Sequence, residues 1–118
     1  ILTINSIIYG ELLFMVENSL NKIENRDSLE KLIENLTIYS LDKCTSEIYG
    51  QFRAEIINKL GPKEKKARRN FKLKEVGIFH NDLWIACTAI QHNLIIVSED
   101  RDFKQMCKVR SMNLECWK

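Results

Sequence analysis

The sequence predicts an α/β domain, three layers deep (α/β/α), with a mainly parallel sheet, on three observations. Short apolar or β-branched runs at Ile1–Ile4, Leu36–Leu41 and Leu94–Val97 alternate with longer stretches whose apolar residues recur at helical spacing. Leu94 to Val97 are four apolar residues in a row, the pattern of a central strand covered on both faces. A helix over Asn81–Gln91 runs through a tight turn at His92-Asn93 straight into that strand, the reversal that an α/β layer requires.

The totals set bounds on this reading. A chain of 118 residues makes one domain, residues 1–118, with room for a real core, and 45% hydrophobic with 29% charged residues is ordinary globular composition. The net charge of +2 says little, but its distribution says more. From Lys59 to Lys74 there are eight basic residues against one acid, Glu64. The four cysteines, Cys44, Cys87, Cys107 and Cys116, show no metal-ligand spacing and read as reduced thiols. No apolar run approaches a membrane span, and a cytoplasmic location is the expectation.

Taken in order, Ile1–Ile4 is predicted as a strand and Asn5-Ser6 as a helix cap. The following helix, Ile7 to about Asn18, has Ile8, Leu12, Met15 and Val16 on its buried side. Asn25-Arg26-Asp27-Ser28 reads as a turn before a short helix to Asn35, and Leu36–Leu41 as a strand. Asp42 caps a longer helix, Lys43–Leu60, with Ile48, Phe52, Ile56 and Leu60 facing the core and Gly61 as its stop. Gly50 within it suggests a close approach of another helix. Pro62 opens the basic segment, read as an exposed loop. Ile85, Ala86, Ala89 and Ile90 mark the core face of the next helix. Asp102-Phe103 opens a short last helix, Asn113–Cys116 is an edge strand, and Trp117 covers the core.

The chemistry lies in the acids. In a layered α/β fold the first turn of a helix and the end of the following strand share one sheet edge, so Asp82 and Asp100 meet although 18 residues separate them. Glu11, early in its own helix, and Asp102 point to the same carboxyl edge, where open α/β sheets carry their sites. One such acid is explained by the helix dipole, worth a few tenths of a kcal/mol; clustered carboxylates repel unless a proton, a base or a metal offsets them. Hard oxygen donors without His or Cys suit Mg²⁺ or Mn²⁺. Such an ion polarises a phosphoryl oxygen and lowers the pKa of bound water. Lys65, Lys66, Arg68 and Arg69 are the candidates for holding a polyanion near that edge, against the reading of a solvated face. There is no G-x-x-x-x-G-K-[ST], G-x-G-x-x-G or G-x-S-x-G motif to support a nucleotide cradle or a serine hydrolase.

Ser6-Ile7-Ile8-Tyr9-Gly10-Glu11-Leu12, Asn81-Asp82-Leu83-Trp84-Ile85-Ala86 and Asn93 to Phe103 resemble the successive acidic motifs of PIN-domain proteins of the VapC toxin type. Ile48 to Glu55 is similar to that family's middle helix. The resemblance implies a metal-dependent endoribonuclease, the toxin of a toxin–antitoxin pair, acting on RNA, forming a homodimer and blocked by a small antitoxin protein. It assigns Glu11, Asp82 and Asp100 as catalytic, metal-binding acids, with Asp102 as a fourth ligand. Ser6, Asn81 and Ser98 become supporting residues, and Arg53 a contact to substrate or antitoxin, although on a helix such an Arg is more often a surface ion-pair partner. Family members also carry an initial strand with the first acid, which this sequence lacks. The expectation is therefore a longer intact chain, or a separate polypeptide that donates the strand. A second reading stays open: a catalytically silent PIN-like module that grips RNA or protein. Chance convergence of the acids on an ordinary scaffold ranks last.

Overall fold

The computed structural model describes residues 3–116, which form two compact units divided between Leu41 and Asp42. In the first, strand β1 (Thr3–Asn5) leads into helices α1 (Ser6–Glu17) and α2 (Lys22–Ile33), and the chain returns as strand β2 (Thr37–Tyr39). β1 and β2 pair in parallel, Thr3 with Thr37 and Asn5 with Tyr39. Parallel neighbours need a crossover, and here two helices supply it. Asn5 is the predicted cap: its buried side chain accepts the Ile8 N–H at 3.0 Å. Val16 and Leu29 are buried, whereas Met15, expected inside, is 66% exposed. Successive helical residues are turned by about 100°, so the face that covers Val16 carries its neighbour outward.

The expected turn at Asn25–Ser28 is instead the middle of α2. Taken alone these residues favour turns. Here Arg26 reaches Glu30 at 3.3 Å and Lys31 reaches Asp27 at 3.3 Å, both one helical turn apart. Asn25 donates its side chain to Ser19 Oγ, and its N–H to Asn21 O. Pairs of this kind each stabilise a helix by about 0.2–0.5 kcal/mol.

In the second unit come helix α3 (Lys43–Leu60), a short basic helix α4 (Lys65–Arg69), a 3₁₀ turn (Leu73–Val76), helix α5 (His80–His92), strand β3 (Ile96–Val97), helix α6 (Arg101–Cys107) and strand β4 (Leu114–Glu115). α3 follows the predicted span. Asp42 Oδ1 accepts the Thr45 N–H at 3.1 Å, and the Asp42 N–H is bonded to Thr45 Oγ1 at 3.1 Å, a reciprocal capping box. Gln91, near the end of α5, donates to the same Asp42 oxygen at 2.9 Å and is also bonded to Thr45. The start of α3 is thereby joined to the end of α5. At the far end a Cβ on Gly61 would lie 2.6 Å from Ile57 O, so only glycine fits this stop without a shift. Gly50 is different. Nothing lies within 4 Å of its would-be Cβ, so the expected close helix approach is not there.

Phe52 and Ile56 of α3 and Leu83, Ala86 and Cys87 of α5 interlock as a fully buried core, closed by Ile78 and Met106. α5 ends at Asn93, whose left-handed backbone (φ 54°) lets the Leu94 N–H return to Ala89 O at 2.8 Å. β3 pairs in parallel with β4, Ile96 with Leu114. The strand expected to be covered on both faces is covered on one: Ile96 is buried, while Ile95 is 56% and Val97 41% exposed. The basic segment is not a plain loop, because Lys65-Lys66-Ala67 are good helix formers and Arg68 bonds Asn58 of α3. Ile1, Leu2 and Trp117, part of the sequence reading, lie outside the described residues.

Candidate functional site

The acids of the second unit sit at two helix starts. α5 begins at His80, so Asn81 and Asp82 occupy its first turn, where a carboxylate is favoured by the unpaired N–H groups. Asp82 is half-buried. Asp100 follows β3, is exposed, and is the N-cap residue of α6; its backbone N–H is bonded to Ser98 Oγ at 3.0 Å. Ser98, expected as a supporting residue, thus shapes the turn that presents Asp100.

Asp102 joins the two starts. Its Oδ2 accepts the backbone N–H of Phe79 at 2.8 Å, and Phe79 is the N-cap residue of α5. Through this bond Asp82, three residues beyond Phe79, and Asp100, two before Asp102, each lie within one helical turn of a single contact. Glu11 lies in the second turn of α1, in the first unit, with Ser6 as that helix's first residue. Among the described residues no group of three or more His, Cys, Asp or Glu side chains is gathered tightly enough to hold a metal ion. The donors that are present, carboxylate oxygens at helix starts, fit the chemistry of a hard dication.

A second constellation flanks α5, and of its members the sequence reading had singled out Arg53 alone as a candidate site residue. Tyr49 of α3 stacks on Trp84 of α5. Its hydroxyl lies 3.0 Å from His80 Nδ1 and accepts Arg53 Nη1 at 3.2 Å. Arg53, expected as a substrate or antitoxin contact, is therefore engaged with Tyr49, within its own helix. His80 is exposed at the mouth of α5, two residues before Asp82. The only sequence signal for this group was the matching i, i+4 spacing of Tyr49 with Arg53 and of His80 with Trp84. Of the basic residues in α4, Lys65, Lys66 and Arg69 are exposed, whereas Arg68 is half-buried on Asn58.

A PIN domain family model matches residues 1–109, all of the first unit and most of the second. The chain belongs to the PIN domain family. Its fold is shared with solved VapBC structures. VapBC2 from Rickettsia felis, bound to a DNA fragment from its promoter, matches at 27% identity and a TM-score of 0.73, over 98% of this chain and 74% of that one. DNA-bound VapBC from Salmonella typhimurium matches at 24% identity and a TM-score of 0.74, over 98% and 75%. VapBC-1 from nontypeable Haemophilus influenzae matches at 23% identity and a TM-score of 0.74, over 98% and 74%. No curated protein sequence matches the chain. The helix-rich α/β fold with short parallel strands, and the VapC-type resemblance carried by the acidic motifs, agree with these findings.

Proposed function

We propose that this chain is the catalytic PIN domain of a toxin–antitoxin pair, an endoribonuclease that cleaves RNA phosphodiesters with Mg²⁺ or Mn²⁺. The observation that carries this is the joining of two acid-bearing helix starts, Asp82 in the first turn of α5 and Asp100 at the N-cap of α6, through one part-buried hydrogen bond from the Phe79 N–H to Asp102. Membership of the PIN family gives the pair its chemical meaning. Glu11 enters this reading from its sequence motif, which lies within the span of the family match. When bound, the ion supplies charge stabilisation at the phosphoryl group and a more acidic water. The chain's own residues do the rest. Asp82 and Asp100 offer anionic oxygens from preformed helix starts, Ser98 holds the turn before Asp100, and the exposed Lys65, Lys66 and Arg69 attract the phosphate backbone.

The partner would be an antitoxin protein, and the chain would pair with a second copy of itself. Both are supported by the apolar side chains Phe14, Met15, Leu20 and Ile23, all exposed on the first unit. A cytoplasmic location is part of the proposal; among the described residues no helix is long and apolar enough to cross a membrane.

The test is RNA cleavage by the full chain in Mn²⁺, with Glu11→Gln, Asp82→Asn and Asp100→Asn variants whose thermal unfolding matches the parent. Loss of cleavage in all three supports the site. Unchanged cleavage in Asp82→Asn and Glu11→Gln rejects it. RNA binding without cleavage by the parent, and without need of a divalent ion, would instead identify a silent binding module.

A further inference from the structure

Two hydrogen bonds tie α6 to the segment that enters α5. Asp102 Oδ2 accepts the Phe79 N–H at 2.8 Å, and Gln105 Nε2 donates to Val76 O at 3.0 Å. Asp102 and Gln105 are three residues apart, so they project from one face of α6, and their backbone partners Phe79 and Val76 are also three apart. Asp102 is only 9% exposed and is followed by the buried Phe103. A carboxylate so placed is costly unless hydrogen-bonded. Phe79, as the N-cap residue, has no side chain able to cap α5. In a capping box the N-cap N–H is met by the residue at the third helical position, here Asp82. In this fold that donor is met from outside the helix by Asp102.

We propose that Asp102 is a positioning residue: with Gln105 it clamps the entry to α5, and so fixes Asp82 relative to Asp100, without itself ligating the metal. The inference rests on the metal-site reading above and deepens it. It separates the two acids of the Asp100-Arg101-Asp102 stretch by role. Asp100 is exposed at the helix start and makes no side-chain cap bond to α6, whereas Asp102, buried one step inside, gives one of its oxygens to the Phe79 N–H.

The experiment uses the full chain, Mn²⁺ as the probe, and two readouts: Mn²⁺ titration by calorimetry, and hydrogen exchange of the Phe79 amide. Asp102→Asn retains a side-chain oxygen that accepts the Phe79 N–H but removes the anionic charge a ligand would need. Its Mn²⁺ affinity should stay within about threefold of the parent, with Phe79 still protected, whereas Asp102→Ala should weaken Mn²⁺ by about tenfold or more and expose Phe79 to exchange. Gln105→Leu, which loosens the clamp without touching either acid, should shift both readouts in the direction of Asp102→Ala. The proposal is overturned if Asp102→Asn loses Mn²⁺ binding as fully as Asp82→Asn while Phe79 stays protected, because Asp102 is then a ligand. It is also overturned if Phe79 stays protected in Asp102→Ala. If the parent takes up no Mn²⁺, the metal-site reading fails, and the positioning role fails with it; the parent titration therefore tells that failure from the other two.

Discussion

Tyr49 on α3 and Trp84 on α5 lie face to face, ring centroids 3.9 Å apart and planes 8° from parallel. The stack locks the two helices that form the core of the second unit at the end where Asp82 stands. Trp84 is half-buried, so Trp84→Ala should cost about 2 kcal/mol of stability, from lost burial and lost ring contact together. Tyr49→Phe keeps the stack and removes only the hydroxyl shared by His80 and Arg53. It should cost less, about 0.5–1 kcal/mol. Urea unfolding of both variants checks the order; equal losses would show that the polar end, not the stack, holds the helices.

The Asp42 cap makes stability depend on acid. Asp42 is held below its ordinary 3.8, first by the Thr45 backbone N–H and next by the Gln91 side chain. The folded state therefore favours the carboxylate. The cap contributes fully above the unfolded pKa and is lost as pH falls through the lower folded one. Between neutral pH and about 5 this bond should not change stability; below 3.8 the parent should lose it progressively. Asp42→Asn, which has no such titration, should unfold at a midpoint that varies less with pH in that acid window. Thermal unfolding from pH 6 to pH 2.5 measures it.

What could be read in advance was what depends on neighbours in sequence. The Asp42 cap, the Gly61 stop and the Phe52/Ile56 face of α3 each rest on local geometry, and each was legible. So were Asp82 in a first turn and Asp100 past a strand end. The misreadings and omissions have separate causes, one of them local. Asn25–Ser28 looks like a turn until ion pairs one helical turn away hold it in α2. Ile95 and Val97 look buried because an apolar run does not say how many faces will be covered. The bond from Asp102 to Phe79 joins a side chain to a backbone N–H 23 residues away, and a backbone donor leaves no mark in sequence. The Tyr49–Trp84 stack depends on the relative register of two helices, which periodicity does not fix.

The cysteines should differ in reactivity in a definite order. Burial pushes the Cys87 thiol up to about 12, against a smaller downward pull from Arg110. The thiolate is the reactive form, so Cys87 should stay unmodified by iodoacetamide at pH 8 until the fold opens. Cys116 is exposed, but its bond to Glu99 raises its pKa and should slow it. Cys44, exposed, should be modified first. Peptide mapping after timed alkylation tests this, and labelling of Cys87 as fast as Cys44 would mean that α5 opens from the native state.

The basic helix α4 should divide into contacts and an anchor. Lys65, Lys66 and Arg69 are exposed, whereas Arg68 is committed to Asn58 of α3. If the three exposed cations meet phosphates, each change to Gln should reduce the dependence of log K on log salt by about 0.7 for a single strand. The measurement is binding of a single-stranded RNA oligonucleotide in EDTA, where no cleavage supported by divalent ions intervenes. Arg68→Gln should behave differently. Losing the anchor frees α4 from α3, so affinity should fall through disorder of the whole helix, and restoring that link with a new Asn58 partner should recover it. A salt slope unchanged by the triple variant Lys65→Gln/Lys66→Gln/Arg69→Gln would place the RNA path on another face, because long-range attraction alone leaves no counterion release to lose.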